Sequence, residues 1–194
     1  APIKRSEPLS HQVATAVIQK SSPANTAWQW FDNCEIIAHL PTSTPDQFAL
    51  IHSSPQAYTE EKLLARLQQL CPEVTALSNL SPYVPTRIKH YTPYVHNNCI
   101  AIHQACYDIH PMSGFSLNMG ISDIHCLTQH IHRNLLDYER ERWATNSQTL
   151  TMIQGLYHLY CDPGFNHPII DWGINGLNRC DLLKQFLISQ AESV

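Results

Sequence analysis

The spacing of apolar residues changes along this chain, from short runs and alternation typical of strands to the three-and-four spacing of helices. Val13 to Ile18 is a β-branched, Ala-rich run closed by Lys20-Ser21-Ser22-Pro23, which predicts a strand. Glu35 to Leu40 and Phe48 to His52 flank Pro41-Thr42-Ser43-Thr44-Pro45-Asp46, a connection suited to a hairpin. Thr59 offers an N-cap, and Glu60 and Glu61 an acidic first turn. Leu63, Leu64, Leu67 and Leu70 then mark one helical face, which Pro72 stops.

Pro82, Pro85 and Pro93 keep the stretch from Ser81 to His96 extended. Cys99 to Ile102 reads as a short buried strand. Beyond Pro111 the period becomes helical. Leu117, Ile121, Ile124, Leu127 and Ile131 share a face of a helix opened by Ser113-Gly114 and running to about His132. A longer helix carries Trp143, Leu150, Ile153, Tyr157 and Tyr160 on one stripe, and Cys161-Asp162-Pro163-Gly164 breaks it. Two short helices are expected to close the chain, one after Pro168 and one facing Leu182, Leu183, Phe186 and Leu187 inward. Strands first and helices last predict an α+β fold, with a mixed or antiparallel sheet, a hairpin, a long helix and a C-terminal helical segment. The 194 residues read as one domain, mainly strands plus one helix over 1–103 and mainly helices over 111–194.

Composition narrows the function classes. Charged residues make up only 14%, below the usual quarter, which fits a chain held against a partner. The net charge is −4, and Glu139 and Glu141 offset the densest basic pair, Arg140 and Arg142, so nucleic-acid binding is not expected. No apolar run reaches membrane-spanning length, and no signal peptide is read at the start. The seven cysteines, Cys34, Cys71, Cys99, Cys106, Cys126, Cys161 and Cys180, are odd in number and nowhere in C-x-x-C spacing. They predict free thiols of a reducing compartment, and hence a cytoplasmic protein.

Candidate chemistry is sparse. His125, Gln129 and His132 lie at i, i+4 and i+7 with His130 adjacent, but two imidazoles and an amide without an acidic third ligand make a poor metal set, so no metal site is expected. No G-x-S-x-G is present, and no catalytic residue is assigned. Asp108 and His110 read as turn features, and Tyr138, Glu139, Arg140 and Arg142 as groups that tie a helix to its neighbours.

The stretch Ala105 to Asp123 reads A-C-Y-D-I-H-P-M-S-G-F-S-L-N-M-G-I-S-D. It resembles the second flavin-contacting motif, G-D-A-A-H-x-x-H-P-x-x-G-x-G-x-N-x-G-x-x-D, of the aromatic-ring hydroxylases of ubiquinone biosynthesis, flavin monooxygenases of the para-hydroxybenzoate hydroxylase fold. Tyr138-Glu139-Arg140-Glu141-Arg142 resembles the family's Y-E-R-x-R, with Asn146, Gly155 and Leu156 beyond it. His11-Gln12-Val13-Ala14 and Asn25-Thr26-Ala27-Trp28-Gln29-Trp30-Phe31 resemble segments before the family's hairpin. The likeness is to the C-terminal half of these enzymes.

Pro111, Gly114, Asn118 and Gly120 match the family pattern, in which the turn they shape presents a helix N-terminus to the flavin. Four positions depart from it, among them Tyr107, which stands where the family has the His after A-A. The family's Gly-Asp pair, which lets the chain approach the cofactor and accepts from its ribityl hydroxyls, falls on His103 and Gln104. The second glycine of G-x-G falls on Ser116. The family's N-terminal G-x-G-x-x-G unit, which binds the ADP part of FAD, has no counterpart in these residues. The resemblance therefore implies a FAD-less relative acting as a non-catalytic accessory or scaffold protein of the ubiquinone pathway. The alternatives are one half of a split or truncated monooxygenase completed by a separate FAD-binding chain, and a module that binds a polyprenyl lipid. The expected partner is a hydroxylase of that pathway or a second copy of this chain. Partners would place it at the periphery of the inner membrane.

Overall fold

One long strand, β1 (Ser6–Lys20), organises the first half of the chain. The computed structural model describes residues 6–21, 26–32, 34–97 and 99–161, with backbone only for 6–10. The expected run Val13 to Ile18 lies within β1, which extends further because ladder hydrogen bonds are backbone bonds and tolerate polar residues. Along one edge β1 runs antiparallel to β4 (Gln47–Ser54), from Gln12 opposite Ser54 to Gln19 opposite Gln47. The expected hairpin joins β4 to β3 (Glu35–Pro41), with Ile36 opposite Ser53. Beyond it, β2 (Trp28–Asp32) pairs antiparallel with β3. The other edge of β1 takes β5 (Val74–Ser78) and β6 (Val84–His90).

Residues Ser6–Ile88 form one compact unit, and a second begins at Lys89. In the first, alternation places Ala16 and Ile18 of β1, Ile37 of β3, and Phe48 and Leu50 of β4 on a common face. Helix α1 (Glu60–Leu70) closes that face with Leu63 and Leu67, the stripe expected from their spacing. Thr59 caps α1 by accepting from the Lys62 amide at 3.3 Å, and the helix ends at Cys71, one residue before Pro72. The same unit buries polar groups. The Lys20 ammonium sits 4.8 Å from the Phe48 ring and 5.4 Å from that of Trp28. Arg66 donates to Glu35 at 2.7 Å and also to Asp32, and Tyr58 donates to Glu35.

In the second unit, Lys89 and His90 of β6 pair antiparallel with Asp108 and Tyr107 of β9 (Tyr107–Asp108). Strands β7 (Val95–His96) and β8 (Cys99–Ile100) form a short pair of their own. The buried strand expected over Cys99 to Ile102 is thus corrected to two residues with Cys99 exposed, since a two-residue pair has no second face to cover. Helices α2 (Ser116–His130) and α3 (Leu135–Cys161) follow.

Helix α2 buries a different face from the one its apolar spacing suggests, whereas α3 buries Leu150, Ile153 and Tyr157 of its expected stripe and leaves Trp143 out. In α2 the buried residues are Met119, Gly120, Asp123 and Cys126. Leu117, Ile121, Ile124 and Ile131 are instead 68%, 57%, 50% and 47% exposed. In α3 the buried stripe runs Tyr138, Arg142, Asn146, Leu150, Ile153 and Tyr157, while Trp143 lies exposed and stacks on His90. No helix among the described residues is long and apolar enough to cross a membrane. Strands followed by helices, with an antiparallel hairpin sheet, make this the α+β fold read from the sequence. The closing helices near Pro168 and Leu182, and Cys180, lie outside the described residues.

Candidate functional site

The loop between β8 and α2 is shaped by its backbone-determining residues. After Ile102 the chain enters the left-handed region at His103, φ 53°, and makes a 3-10 turn over His103–Ala105. A second 3-10 turn, Pro111–Ser113, starts at a proline whose fixed φ suits a first helical position. The His110 Nδ1 accepts from the Met112 amide at 3.1 Å and so caps that turn. Gly114 closes it at φ 65°, donating to the Pro111 carbonyl at 3.1 Å. An added Cβ at Gly114 would meet nothing within 4 Å, so glycine is needed there for its backbone and not for space. Helix α2 then opens at Phe115, which supplies no side-chain cap.

Two of the positions that depart from the family pattern, His103 and Ser116, are in contact with each other. His103 keeps a glycine-like backbone, at a cost of about 1–2 kcal/mol for a residue with a Cβ. Its ring lies on Gly120, where an added Cβ would sit 2.8 Å from the imidazole Cδ2. Its Nε2 is hydrogen-bonded to Ser116 Oγ at 3.0 Å. Gln104 and Asn118 are exposed, and Pro111 is half-buried.

Beneath the loop lies Asp123, fully buried and surrounded by donors. Its Oδ1 accepts from Arg142 Nε at 2.7 Å and from Asn146 Nδ2 at 3.2 Å. Its Oδ2 accepts from the His103 amide at 2.9 Å and the Tyr107 hydroxyl at 3.2 Å. Arg142 also donates to Asn146 Oδ1 at 3.0 Å, and Asn146 donates to the Tyr94 hydroxyl at 3.2 Å. A buried ion pair is tolerated only when its remaining lone pairs and protons are matched in this way. Sequence reasoning quoted Asp123 only as the last letter of a motif and missed that it is the hub. The signal was an acidic residue on the flank of the apolar stripe of α2, one turn before Leu127.

The surrounding groups are held in their neutral forms. Burial, aided by the Asp123 charge, pushes the Cys106 thiol up to about 12 and raises the Tyr107 and Tyr138 hydroxyls well above the usual phenol range. Burial likewise lowers His90 below the ordinary imidazole value. Such a cluster offers neither a thiolate nor a phenolate at neutral pH, and its chemistry is that of a positioning network.

The remaining sequence candidates are dispersed. Tyr138 donates to the Ala101 carbonyl at 2.8 Å, and Glu139 accepts from the Val95 amide at 2.9 Å. Arg140 is exposed, 3.6 Å from Asp137. Asp108 accepts from the Tyr91 hydroxyl at 2.5 Å. His125 bonds Gln129 at 3.0 Å on the exposed side of α2, and His132 is exposed beyond the helix.

No family model matches the chain. Among curated proteins, mitochondrial ubiquinone biosynthesis monooxygenase COQ6 of Xenopus tropicalis is 30% identical over 106 residues, covering 48% of this chain and 23% of that protein. COQ6 of Rattus norvegicus is 26% identical over 159 residues, covering 74% of this chain and 33% of that protein. These monooxygenases are remote homologues of this chain. It spans 23% to 33% of the length of these relatives. Solved structures agree in fold. The p-nitrophenol 4-monooxygenase PnpA of Pseudomonas putida DLL-E4 superposes with TM-score 0.78 at 10% identity, covering 99% of this chain and 55% of that chain. The anhydrotetracycline hydroxylase OxyS of Streptomyces rimosus gives TM-score 0.68 at 17% identity, covering 99% and 42%. The fold is that of the flavin-dependent aromatic hydroxylases.

Proposed function

We propose that this chain is a relative of the ubiquinone-biosynthesis hydroxylases that binds no flavin by itself and serves as a non-catalytic accessory to active enzymes of that pathway. The observation that carries this reading is the contact of His103 with Ser116 and Gly120. Where the resemblance puts a glycine for close cofactor approach, this chain has His103, whose imidazole packs on Gly120. A flavin ring at this loop would have to displace that side chain and leave the Ser116 hydroxyl to find another partner, while the ribityl hydroxyls would meet Gln104 in place of a carboxylate. The residues present therefore do not fit the cofactor. The exposed apolar side of α2 supports an accessory role, because large wet apolar patches are unusual on monomers.

Purified with excess FAD and desalted, the full chain is expected to be colourless in the visible range. Stoichiometric retained flavin would overturn the reading. A second reading, half of a split monooxygenase completed by another chain, is favoured by the preserved turn at Pro111 and Gly114 and by the side-chain-free cap of α2, both suited to an anionic ring. Flavin titration with and without a candidate FAD-binding partner decides between the two. Flavin retained only in the mixture supports the second reading.

A further inference from the structure

Helices α2 and α3 bring together three metal-ligating side chains that lie outside the loop and the Asp123 network. Cys126 and His130 are one turn apart on α2, at i and i+4, and so share a face. Glu141 reaches them from α3, and one ligand atom from each residue lies within 4.8 Å of the other two. The His130 Nε2 and Glu141 Oε2 are 3.2 Å apart. Cys126 is buried, His130 half-buried and Glu141 exposed, so the cluster has a closed inner side and an open outer one.

We propose that Cys126, His130 and Glu141 form a zinc site that joins α2 to α3. A thiolate, an imidazole nitrogen and a carboxylate oxygen are the three donor types zinc accepts, at bond lengths of about 2.0–2.3 Å that put tetrahedral ligand atoms about 3.5 Å apart. The separation of His130 from Glu141 already falls near that value. The sulfur and the imidazole disfavour magnesium and calcium, which take oxygen ligands. Three protein ligands leave the fourth position to water on the Glu141 side, the arrangement of an exchangeable or reactive zinc and not of a closed structural one.

Zinc binds the sulfur as a thiolate. On binding, the S–H bond breaks, a sulfur–zinc bond forms, and the proton leaves to solvent. Because the ligands come from two helices, binding also stabilises their packing by linkage.

The test uses the full chain, stripped with a chelator and dialysed. Zinc chloride is titrated against a chromogenic zinc indicator, and cobalt chloride is added separately as a spectroscopic probe. The expected result is one zinc per chain and, with cobalt, a thiolate-to-cobalt charge-transfer band. Cys126→Ser removes the band. His130→Ala and Glu141→Gln each weaken zinc binding at least about tenfold. His125→Ala and His132→Ala leave it unchanged. The cobalt band of the unsubstituted chain does not depend on any variant folding. Absence of that band, no bound zinc, or zinc lost on His125→Ala or His132→Ala while His130→Ala retains it would overturn the site in favour of adventitious binding to surface imidazoles.

Discussion

Helices α1 and α2 carry similar apolar stripes and use them in opposite ways. In α1, Leu63 and Leu67 are buried against the sheet, as the spacing demands. In α2, Leu117, Ile121, Ile124 and Ile131 face solvent, while Met119, Gly120, Asp123 and Cys126 turn inward. The difference teaches that periodicity locates a face that has reason to be covered, but not the surface that covers it. A helix can turn inward a face with few apolar side chains when an ion pair with all its partners waits beneath. Here Arg142, Asn146, Tyr107 and the His103 amide saturate Asp123, and that network sets the orientation of α2.

The largest expected difference between the two halves is in their response to acid. His11, His39 and His52, all in the unit of α1, are lowered by burial from 6.5 to about 4. The fold keeps them neutral, so their contribution is complete above about pH 6.5. It declines below that, as the unfolded chain takes up protons the folded chain refuses, and is lost as the pH falls through about 4. Acidification from pH 7 to 4 should therefore open the first unit, seen as faster hydrogen exchange in β1, β3 and β4. Uniform protection in those strands down to pH 4 would show that the histidines are not held neutral.

Next in size, Asp123→Ala leaves the Arg142 guanidinium buried without its counter-charge and should cost about 3–5 kcal/mol in urea denaturation. A loss below about 1 kcal/mol, the surface-pair range, would mean that the network does not orient α2. On the α1 side, Leu67→Ala should cost about 2–5 kcal/mol by the same measurement, through a cavity under the sheet. Gly120→Ala drives a methyl into the His103 ring and should cost about 1–3 kcal/mol. Paired with His103→Ala the penalty should largely disappear, a coupling that a double-mutant cycle reads directly.

The smallest stability effect belongs to the outward stripe. Ile121→Ser should change unfolding stability by no more than about 0.5 kcal/mol, in contrast to Leu67→Ala. Its effect should instead appear in association, as a shift toward monomer when sedimentation is followed over a range of concentrations. A strictly monomeric parent chain that binds no hydroxylase of the pathway would remove the stripe from the accessory reading.

Much of the strand half was legible in sequence because its signals are local. The β3–β4 hairpin follows from a Pro- and Thr-rich turn between two apolar runs, and α1 from an N-cap, a leucine face and a proline stop. The loop turns at Pro111 and Gly114 were equally local, since φ preferences belong to single residues. The buried strand at Cys99 and the place of Trp143 on the otherwise buried stripe of α3 failed for one reason. Burial depends on what lies opposite, and apolar spacing does not encode it. Spacing along α2 likewise shows His125, Gln129 and His132 but not the carboxylate beside His130, which comes from the next helix.

By itself, the sequence determined the order of strands and helices, the turns of the loop, and the kinship with ubiquinone-pathway hydroxylases. These rest on backbone preference, periodicity and motif order, all properties of neighbours in the chain. Only the tertiary structure decided that His103 and Ser116 meet over Gly120, that Asp123 gathers four donors, and that Glu141 joins Cys126 and His130. Each of these joins separate elements of the second unit, and such contacts are set by how the loop and helices pack. A buried charge must find its partners wherever the fold places them, and that requirement, stronger than the burial of exposed leucines and isoleucines, turned α2 to the face it shows.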